Sequence, residues 1–169
     1  MIFEHDTFFM KKALQLAEEA LLDGEFPVGA ALVYENKIIA TGLRTGTSGE
    51  TPDETDHAEM ICLRRYAALN RKIDMSKATL FCTLEPCLMC LGAIILSGTG
   101  RLVYAYEDIM GGAANCNLGK LNPLYQKSTI AIVPGILRKD SLKLFKTFFS
   151  NRGNNYWKGS LLSVYTLQQ

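Results

Sequence analysis

The 169-residue sequence lacks any long hydrophobic run and has almost no excess of charge of either sign. Its longest apolar stretch, Leu88 to Leu96, includes Cys90 and Gly92 and is far shorter than the ~20 residues of a membrane-spanning helix. Lysine and arginine number 18 and aspartate and glutamate 17, so the net charge of +1 gives no global electrostatic reason to bind nucleic acid. A neutral total is compatible with a local basic patch, so RNA stays among the candidate partners.

The sequence also lacks the features of an exported protein. Its first residues include Glu4 and Asp6, and no basic stretch precedes a long apolar run. The five cysteines are an odd number, and two of them fall in a metal-ligand motif, which argues against a disulfide framework. We therefore expect a reducing, cytoplasmic location and no membrane association.

What the sequence does contain is a set of zinc ligands. The triplet HAE at residues 57–59 is followed, after a 26-residue gap, by PCLMC at residues 86–90. Three protein ligands leave a tetrahedral Zn²⁺ with one open position for a water, whose pKa the metal lowers to about 7. We predict one zinc ion per chain, bound by His57, Cys87 and Cys90. Glu59, two residues from the histidine, can carry protons without binding the metal.

Two other interpretations of the paired cysteines are weaker. Redox proteins also carry Cys-x-x-Cys, but Pro86 and the matched histidine disfavour that interpretation. A structural zinc site needs a fourth ligand, and the nearest spare cysteine, Cys82, lies in an apolar run that we expect to be a buried strand. We expect Met89 to pack rather than to bind metal.

Hydrophobic periodicity predicts helices and strands in alternation. The predicted strands are 28–34, 37–41, 78–83, 101–106 and 129–133, and the predicted helices are 6–22, 57–69, one that opens at Pro86, a short turn at 121–126, and 137–149. This order predicts an α/β protein with three α/β/α layers and a mixed five-stranded sheet. We treat residues 1–169 as a single domain, with a core of about 6–150 and a helical extension over 151–169.

The helix that opens at Pro86 is apolar on nearly every side. We therefore expect it to be buried in the core. One small sheet cannot cover so many apolar faces, and so we also predict a homodimer.

The motifs resemble those of the cytidine and deoxycytidylate deaminase superfamily over roughly residues 6–150. The sharpest matches are PVGA at 27–30, HAE at 57–59, TLEPCLMC at 83–90 and GAI at 92–94. Within the superfamily they are most similar to bacterial tRNA adenosine deaminases and to guanine or cytosine deaminases. The resemblance implies a cytidine-deaminase-like fold and hydrolytic removal of an exocyclic amino group, with Glu59 as the proton carrier. It also implies pairing of subunits through the helix that opens at Pro86.

The resemblance further implies a substrate pocket. Its walls would include Phe26 and Val28, and backbone groups near Ala58, Leu84 and Glu85 would orient the ring. Asp108 matches an aspartate that touches nucleic acid in the tRNA enzymes.

The sequence departs from the family at Arg44. Relatives carry an asparagine there, which both donates and accepts hydrogen bonds, whereas arginine only donates and is charged. Arginine prefers phosphate or carboxylate partners, so a pocket-facing Arg44 would change substrate choice. An exposed loop position without a substrate role is an equal alternative.

These observations predict a zinc-dependent deaminase of a nucleobase, nucleoside or nucleotide. The alternative is a tRNA adenosine deaminase, which Arg44 and the asparagine-rich tail after Phe149 disfavour. A non-catalytic zinc-binding subunit is the alternative of another class, and retention of Glu59 argues against it.

Overall fold

A mixed five-stranded sheet forms the centre of the molecule in the computed structural model, which describes residue 3 and residues 5–169. The strands are β1 (Gly29–Tyr34), β2 (Lys37–Leu43), β3 (Thr79–Leu84), β4 (Arg101–Tyr106) and β5 (Ala131–Val133), in the order β2-β1-β3-β4-β5. Strand β1 is antiparallel to β2 and β3, and β3, β4 and β5 are parallel. The predicted fold class is confirmed.

Six α-helices accompany the sheet among the described residues. They are α1 (Asp6–Leu22), α2 (Ala58–Ala68), α3 (Leu88–Leu96), α4 (Pro123–Gln126), α5 (Arg138–Ser150) and α6 (Leu161–Gln168), with short 3₁₀ turns at Met75–Lys77 and Leu118–Lys120. In the part of the chain that the structure describes, no helix is long and apolar enough to cross a bilayer.

Both faces of the sheet are covered. Neighbouring residues of β3, Leu80 and Phe81, belong to two different hydrophobic clusters because successive side chains of a strand point to opposite faces. The cluster of Leu80 also holds Cys62 of α2 and Leu91 of α3. The cluster of Phe81 also holds Phe9 and other residues of α1. This is the predicted three-layer arrangement.

Close packing of α2 on β2 depends on a glycine. A Cβ at Gly42 would lie 2.1 Å from the carbonyl oxygen of Ala58 and 2.7 Å from the backbone nitrogen of Cys62. Both contacts are shorter than real Cβ atoms allow, so only glycine lets the first turn of α2 approach the strand this closely. That first turn carries Glu59, and the predicted zinc ligand His57 directly precedes it.

The expectation that α3 is buried all round is wrong for a single chain. Leu91 and Ile94 are buried, but Leu88 and Leu96 are largely exposed. A helix lying on a sheet buries the side that faces the strands, and the described chain leaves Leu88 and Leu96 uncovered.

The C-terminal extension does contain a helix, α6. The Tyr106 hydroxyl on β4 and the Thr166 hydroxyl on α6 lie 3.0 Å apart in a buried hydrogen bond. Glu107 accepts a hydrogen bond from the Tyr165 hydroxyl at 2.7 Å and is ion-paired with Arg138 of α5. Because α5 and α6 are both anchored, the intervening segment 151–160 is held at both ends.

The ion pair between Asp6 and Arg101 ties the start of α1 to β4. The two guanidinium nitrogens donate to the two oxygens of the fully buried Asp6 carboxylate at 2.8 and 2.7 Å. Burial is the largest single influence on the pKa of Asp6 and would raise it. The hydrogen bonds from Arg101 and from the Phe3 N–H, together with the charges of Arg101 and His5, lower it below its ordinary value of 3.8.

Replacing Asp6 with asparagine should therefore lower the free energy of unfolding by about 3–5 kcal/mol at pH 7, because it removes one member of a buried ion pair. Since the folded-state pKa is depressed, the contribution of Asp6 is present above pH 3.8 and is lost as the pH falls through the folded-state pKa. Urea unfolding at several pH values should show the difference between the proteins shrinking below that point. Asp56→Asn, which breaks the exposed pair with Arg64, should cost about 1 kcal/mol or less. An equal loss in the two variants would contradict the prediction.

Candidate active site and metal centre

Two helix N-termini bring the three predicted zinc ligands together. His57 is the residue that precedes α2, and Cys87 precedes α3, with Cys90 in the first turn of that helix. The His57 Nδ1 atom lies 3.6 Å from Cys87 Sγ and 3.4 Å from Cys90 Sγ. Bonds of about 2.0 Å to nitrogen and 2.3 Å to sulfur in a tetrahedral site require a separation of about 3.5 Å. The donor set therefore fits zinc, and among the described residues it is the one cluster of three or more such ligands.

The protonation of the two thiols is uneven. Hydrogen bonds from the Cys90 thiol and then from His57 hold the pKa of Cys87 to about 4, against the opposing effect of burial. The pKa of Cys90 is raised, chiefly because it donates to Cys87 and also because it is buried. Cys87 is thus a thiolate at neutral pH, the form that binds metal. Cys82 and Cys62 lie in the core with pKa values raised by burial, which agrees with a packing role for Cys82.

Glu59 lies in the first turn of α2 and is almost completely buried. Burial is the largest influence on its carboxyl group and raises its pKa. A general acid–base group works best when its pKa is close to the working pH, and a raised carboxyl pKa moves it in that direction.

A small cavity of about 50 Å³ lies beside these groups. Every residue that the sequence predicted for catalysis or substrate binding lines it, and so do two of the zinc ligands. These residues are Phe26, Val28, Arg44, His57, Ala58, Glu59, Leu84, Glu85, Cys87 and Asp108. The cavity has room for only a few water molecules, because one water needs roughly 10–15 Å³.

Glu85 and Asp108 both organise the loop that follows β4. Glu85 accepts hydrogen bonds from the backbone N–H groups of Asp108 at 3.2 Å and Ala114 at 3.0 Å. The Asp108 carboxylate accepts from the N–H groups of Met110 at 2.9 Å and Gly111 at 3.0 Å. Both carboxylates thus have protein partners. Whether Asp108 also touches substrate stays a prediction.

Arg44 is buried, with 2% of its side chain exposed, so the alternative of an exposed loop residue is wrong. Its guanidinium donates to the Thr45 carbonyl oxygen at 2.7 Å and to Glu54 Oε2 at 3.4 Å. The Tyr156 hydroxyl donates to the same Glu54 oxygen at 2.9 Å. The arginine therefore links the cavity wall to the C-terminal segment.

Tyr156 and Trp157 line the cavity, and the sequence did not predict this. The two rings stack with centroids 5.1 Å apart, and each meets the Phe26 ring edge-on at 5.4 Å. Trp157 has a positive φ of 52°, a left-handed conformation that a bulky residue adopts only when its surroundings impose it. A tyrosine–tryptophan pair among asparagines is conspicuous in the sequence. Nothing in the sequence, however, indicates that Tyr156 contacts Glu54, which lies 102 residues earlier in the chain.

The sequence matches a known family over most of its length. A sequence profile described as "Cytidine and deoxycytidylate deaminase zinc-binding region" matches residues 3–106, which span the metal centre and Glu59. The chain belongs to this family of zinc-dependent hydrolytic deaminases, and zinc is its cofactor. Membership supports a hydrolytic deaminase over the alternative of a non-catalytic subunit.

Particular relatives refine this placement. The chain is 38% identical to the tRNA-specific adenosine deaminase of Buchnera aphidicola subsp. Schizaphis graminum over 87% of this chain and 95% of the relative. It is similar to a structure from studies of A-to-I editing by tRNA:A34 deaminases, with 31% identity, a TM-score of 0.65, and 82% and 99% of the two chains covered. A protein solved in complex with 8-azaguanine has 26% identity and a TM-score of 0.67, with 85% and 84% covered.

Proposed function

We propose that this deaminase acts on a small aminated ring in the form of a free nucleobase, a nucleoside or a nucleotide. The observation that carries the proposal is the small size of the cavity, whose wall includes Arg44, Tyr156 and Trp157. A cavity of about 50 Å³ is well below the 300–1,000 Å³ that is usual for ligand pockets. A nucleotide extruded from an RNA chain would need this wall removed, whereas a single ring needs a smaller adjustment.

The residues of the site have distinct roles in the proposed reaction. His57, Cys87 and Cys90 hold the zinc ion, which when bound supplies a water acidic enough to act as a nucleophile near neutral pH. Glu59 accepts a proton from the attacking water and delivers it to the ring nitrogen. It then carries a second proton, from the hydroxyl that has been added to the ring carbon, to the amino group, which leaves as ammonia. Phe26 and Val28 wall the ring, and backbone groups near Ala58, Leu84 and Glu85 orient it.

The surroundings of the cavity support a small substrate. A larger groove shares Tyr156 and Trp157 with it, and its lining includes Glu50 and Glu54 but no lysine or arginine. Proteins that bind RNA gain much of their affinity from basic side chains that contact the phosphates. Carboxylates, which are negatively charged, repel the phosphates. This groove therefore disfavours an RNA backbone on the side of the site that the C-terminal segment forms.

The second candidate is a tRNA adenosine deaminase. The relative from Buchnera, which bears that name, is similar to this chain over nearly its whole length, and this favours the candidate. It would require the Tyr156–Trp157 segment to move away from the cavity before an anticodon nucleotide enters.

A substrate screen separates the two candidates. Purified protein would be tested for ammonia release from adenine, guanine, cytosine, their nucleosides and nucleotides, and an anticodon-stem RNA. Turnover of a base, nucleoside or nucleotide and none of the RNA supports the first proposal. Turnover of the RNA alone would replace it with the second, and no ammonia from any compound would contradict both.

We also propose that two chains pair through α3. Leu88 and Leu96 on that helix are largely exposed, and Leu88 continues into an apolar groove lined by Leu121 and Tyr125. An apolar surface of this kind on a soluble enzyme is typical of an interface. A location in the cytoplasm is part of the same proposal and agrees with five unpaired thiols among the described residues.

Light scattering should therefore give twice the chain mass of 18.7 kDa at micromolar concentration. Leu88→Glu should shift the protein to the monomer, because it buries a charge in the interface. Leu22→Glu is the control, since Leu22 is also strongly exposed but lies on α1. A wild-type mass of one chain across the concentration range would rule out the dimer.

A further inference from the structure

Arg44 is unusual among the paired arginines of the described chain. It is the most buried, with 2% of its side chain exposed, compared with 11% for Arg101, 32% for Arg138 and 56% for Arg64. Yet its ion pair is the longest of the four, at 3.4 Å to Glu54, whereas Arg64 and Arg101 approach their carboxylates to 2.7 Å. The arginine that is most removed from water thus has the weakest carboxylate contact.

The carboxylate that pairs with Arg44 also has other partners. Glu54 is 53% exposed, so water competes for its charge, and its Oε2 atom accepts the hydroxyl of Tyr156 as well as the guanidinium. Burying a guanidinium is unfavourable unless its charge is compensated by good hydrogen bonds. The guanidinium at the cavity wall therefore has hydrogen-bond partners, but its contact with the Glu54 carboxylate is long and shared with a tyrosine.

A donor held in this way is suited to binding an acceptor that enters the cavity. Arginine presents five N–H donors and no acceptor, so it can serve only a group with available lone pairs. A preorganised donor in a site from which water is excluded interacts more strongly than the same donor in water. The small volume of the cavity favours a ring oxygen over a bulkier anionic substituent as that acceptor.

We propose that Arg44 is a specificity-determining residue that hydrogen-bonds an oxo group of the substrate ring. The substrate class is then an amino-oxo heterocycle, in which one ring carbon bears the amino group to be removed and another bears a carbonyl oxygen. This inference rests on the proposed function and narrows it. Rings that carry the amino group alone would offer the guanidinium no acceptor beyond the Thr45 carbonyl oxygen and Glu54, which it already uses.

Matched pairs of rings test the inference directly. The two members of each pair differ in that only the first carries the oxo group. The pairs are guanine and 2-aminopurine, isoguanine and adenine, and cytosine and 4-aminopyrimidine. The wild-type protein should favour the oxo member of the pair that it deaminates by roughly 10- to 100-fold in kcat/KM, the usual effect of a hydrogen bond to a charged group. Arg44→Asn should bring that ratio close to one, and Arg44→Lys should retain part of it.

Two further variants separate recognition from packing. Glu54→Gln removes the carboxylate but leaves the guanidinium, so the oxo preference should survive even if overall turnover falls. Arg64→Asn is the matched control, because Arg64 is exposed and lies outside the cavity, and it should leave the preference unchanged. Zinc content and circular dichroism establish that each variant is folded. If Arg44→Asn does not fold, the comparison is made with Arg44→Lys instead.

A binding measurement makes the test independent of turnover. Calorimetry on the Glu59→Ala protein should show tighter binding of the oxo member of a pair, and the double variant Glu59→Ala/Arg44→Asn should lose that difference. Ammonia release without an oxo preference, or an equal loss on both members in Arg44→Asn, would overturn the inference and leave the deaminase proposal intact. Binding preference without ammonia from any ring would overturn the proposed function instead.

Discussion

Replacing Glu59 with alanine should lower kcat by about 10²–10⁴-fold while the protein keeps its zinc. The carboxylate lies in the first turn of α2, buried beside the metal ligands but outside the ligand set, so its loss removes proton transfer and not metal binding. The measurement is ammonia release on the best substrate of the screen, with zinc determined on the same sample by elemental analysis.

Glu59→Gln is the matched control for shape. Glutamine fills the same space but cannot take up a proton, so it should be as inactive as alanine if proton transfer is the role. Recovery of most activity in Glu59→Gln would indicate that the side chain acts through packing. Near-normal turnover in Glu59→Ala would show that the assignment of the proton carrier is wrong.

Removal of one ligand should empty the metal centre. Wild-type protein should contain about one zinc per chain after dialysis, and Cys87→Ala should lose most of it, because only two protein ligands remain where three are needed. Loss of the metal removes the attacking water's activation, so deamination should also fall to background. The geometry supports this expectation, since the ligand atoms lie within 4.8 Å of one another.

Cys116→Ala provides the control for that experiment. Cys116 is an exposed free thiol outside the ligand cluster, so its replacement should leave both zinc content and activity unchanged. Full zinc in dialysed Cys87→Ala would mean that the ligand set is not the one assigned here.

Local sequence patterns were sufficient for much of the fold. The predicted helix 6–22 agrees with α1 at both ends, and the predicted strand 101–106 agrees with β4, because apolar periodicity reports directly on which face an element buries. The helix at Pro86 begins two residues later, at Leu88, with Cys87 as its capping residue. Such boundary shifts are expected because helix ends depend on capping geometry as much as on periodicity.

The prediction that α3 is buried on all sides failed for a reason that periodicity cannot address. Its sequence is apolar on nearly every side. This pattern predicts that the helix is buried, but it does not indicate whether the same chain or a second chain covers it. The chain itself covers Leu91 and Ile94 and leaves Leu88 and Leu96 exposed. A second copy, on our proposal, covers the rest.

By itself the sequence determined the order of helices and strands and the family, and it predicted the zinc ligands and the role of Glu59 as proton carrier. These features depend on local periodicity or on residue types at short, recognisable spacings, which survive without knowledge of the fold. Only the tertiary structure decided that Arg44 is buried against Glu54 and that Tyr156 and Trp157 line the cavity. The contact between Tyr156 and Glu54 joins residues 102 positions apart, because the extension after α5 packs back across the site, and no local pattern encodes such a contact.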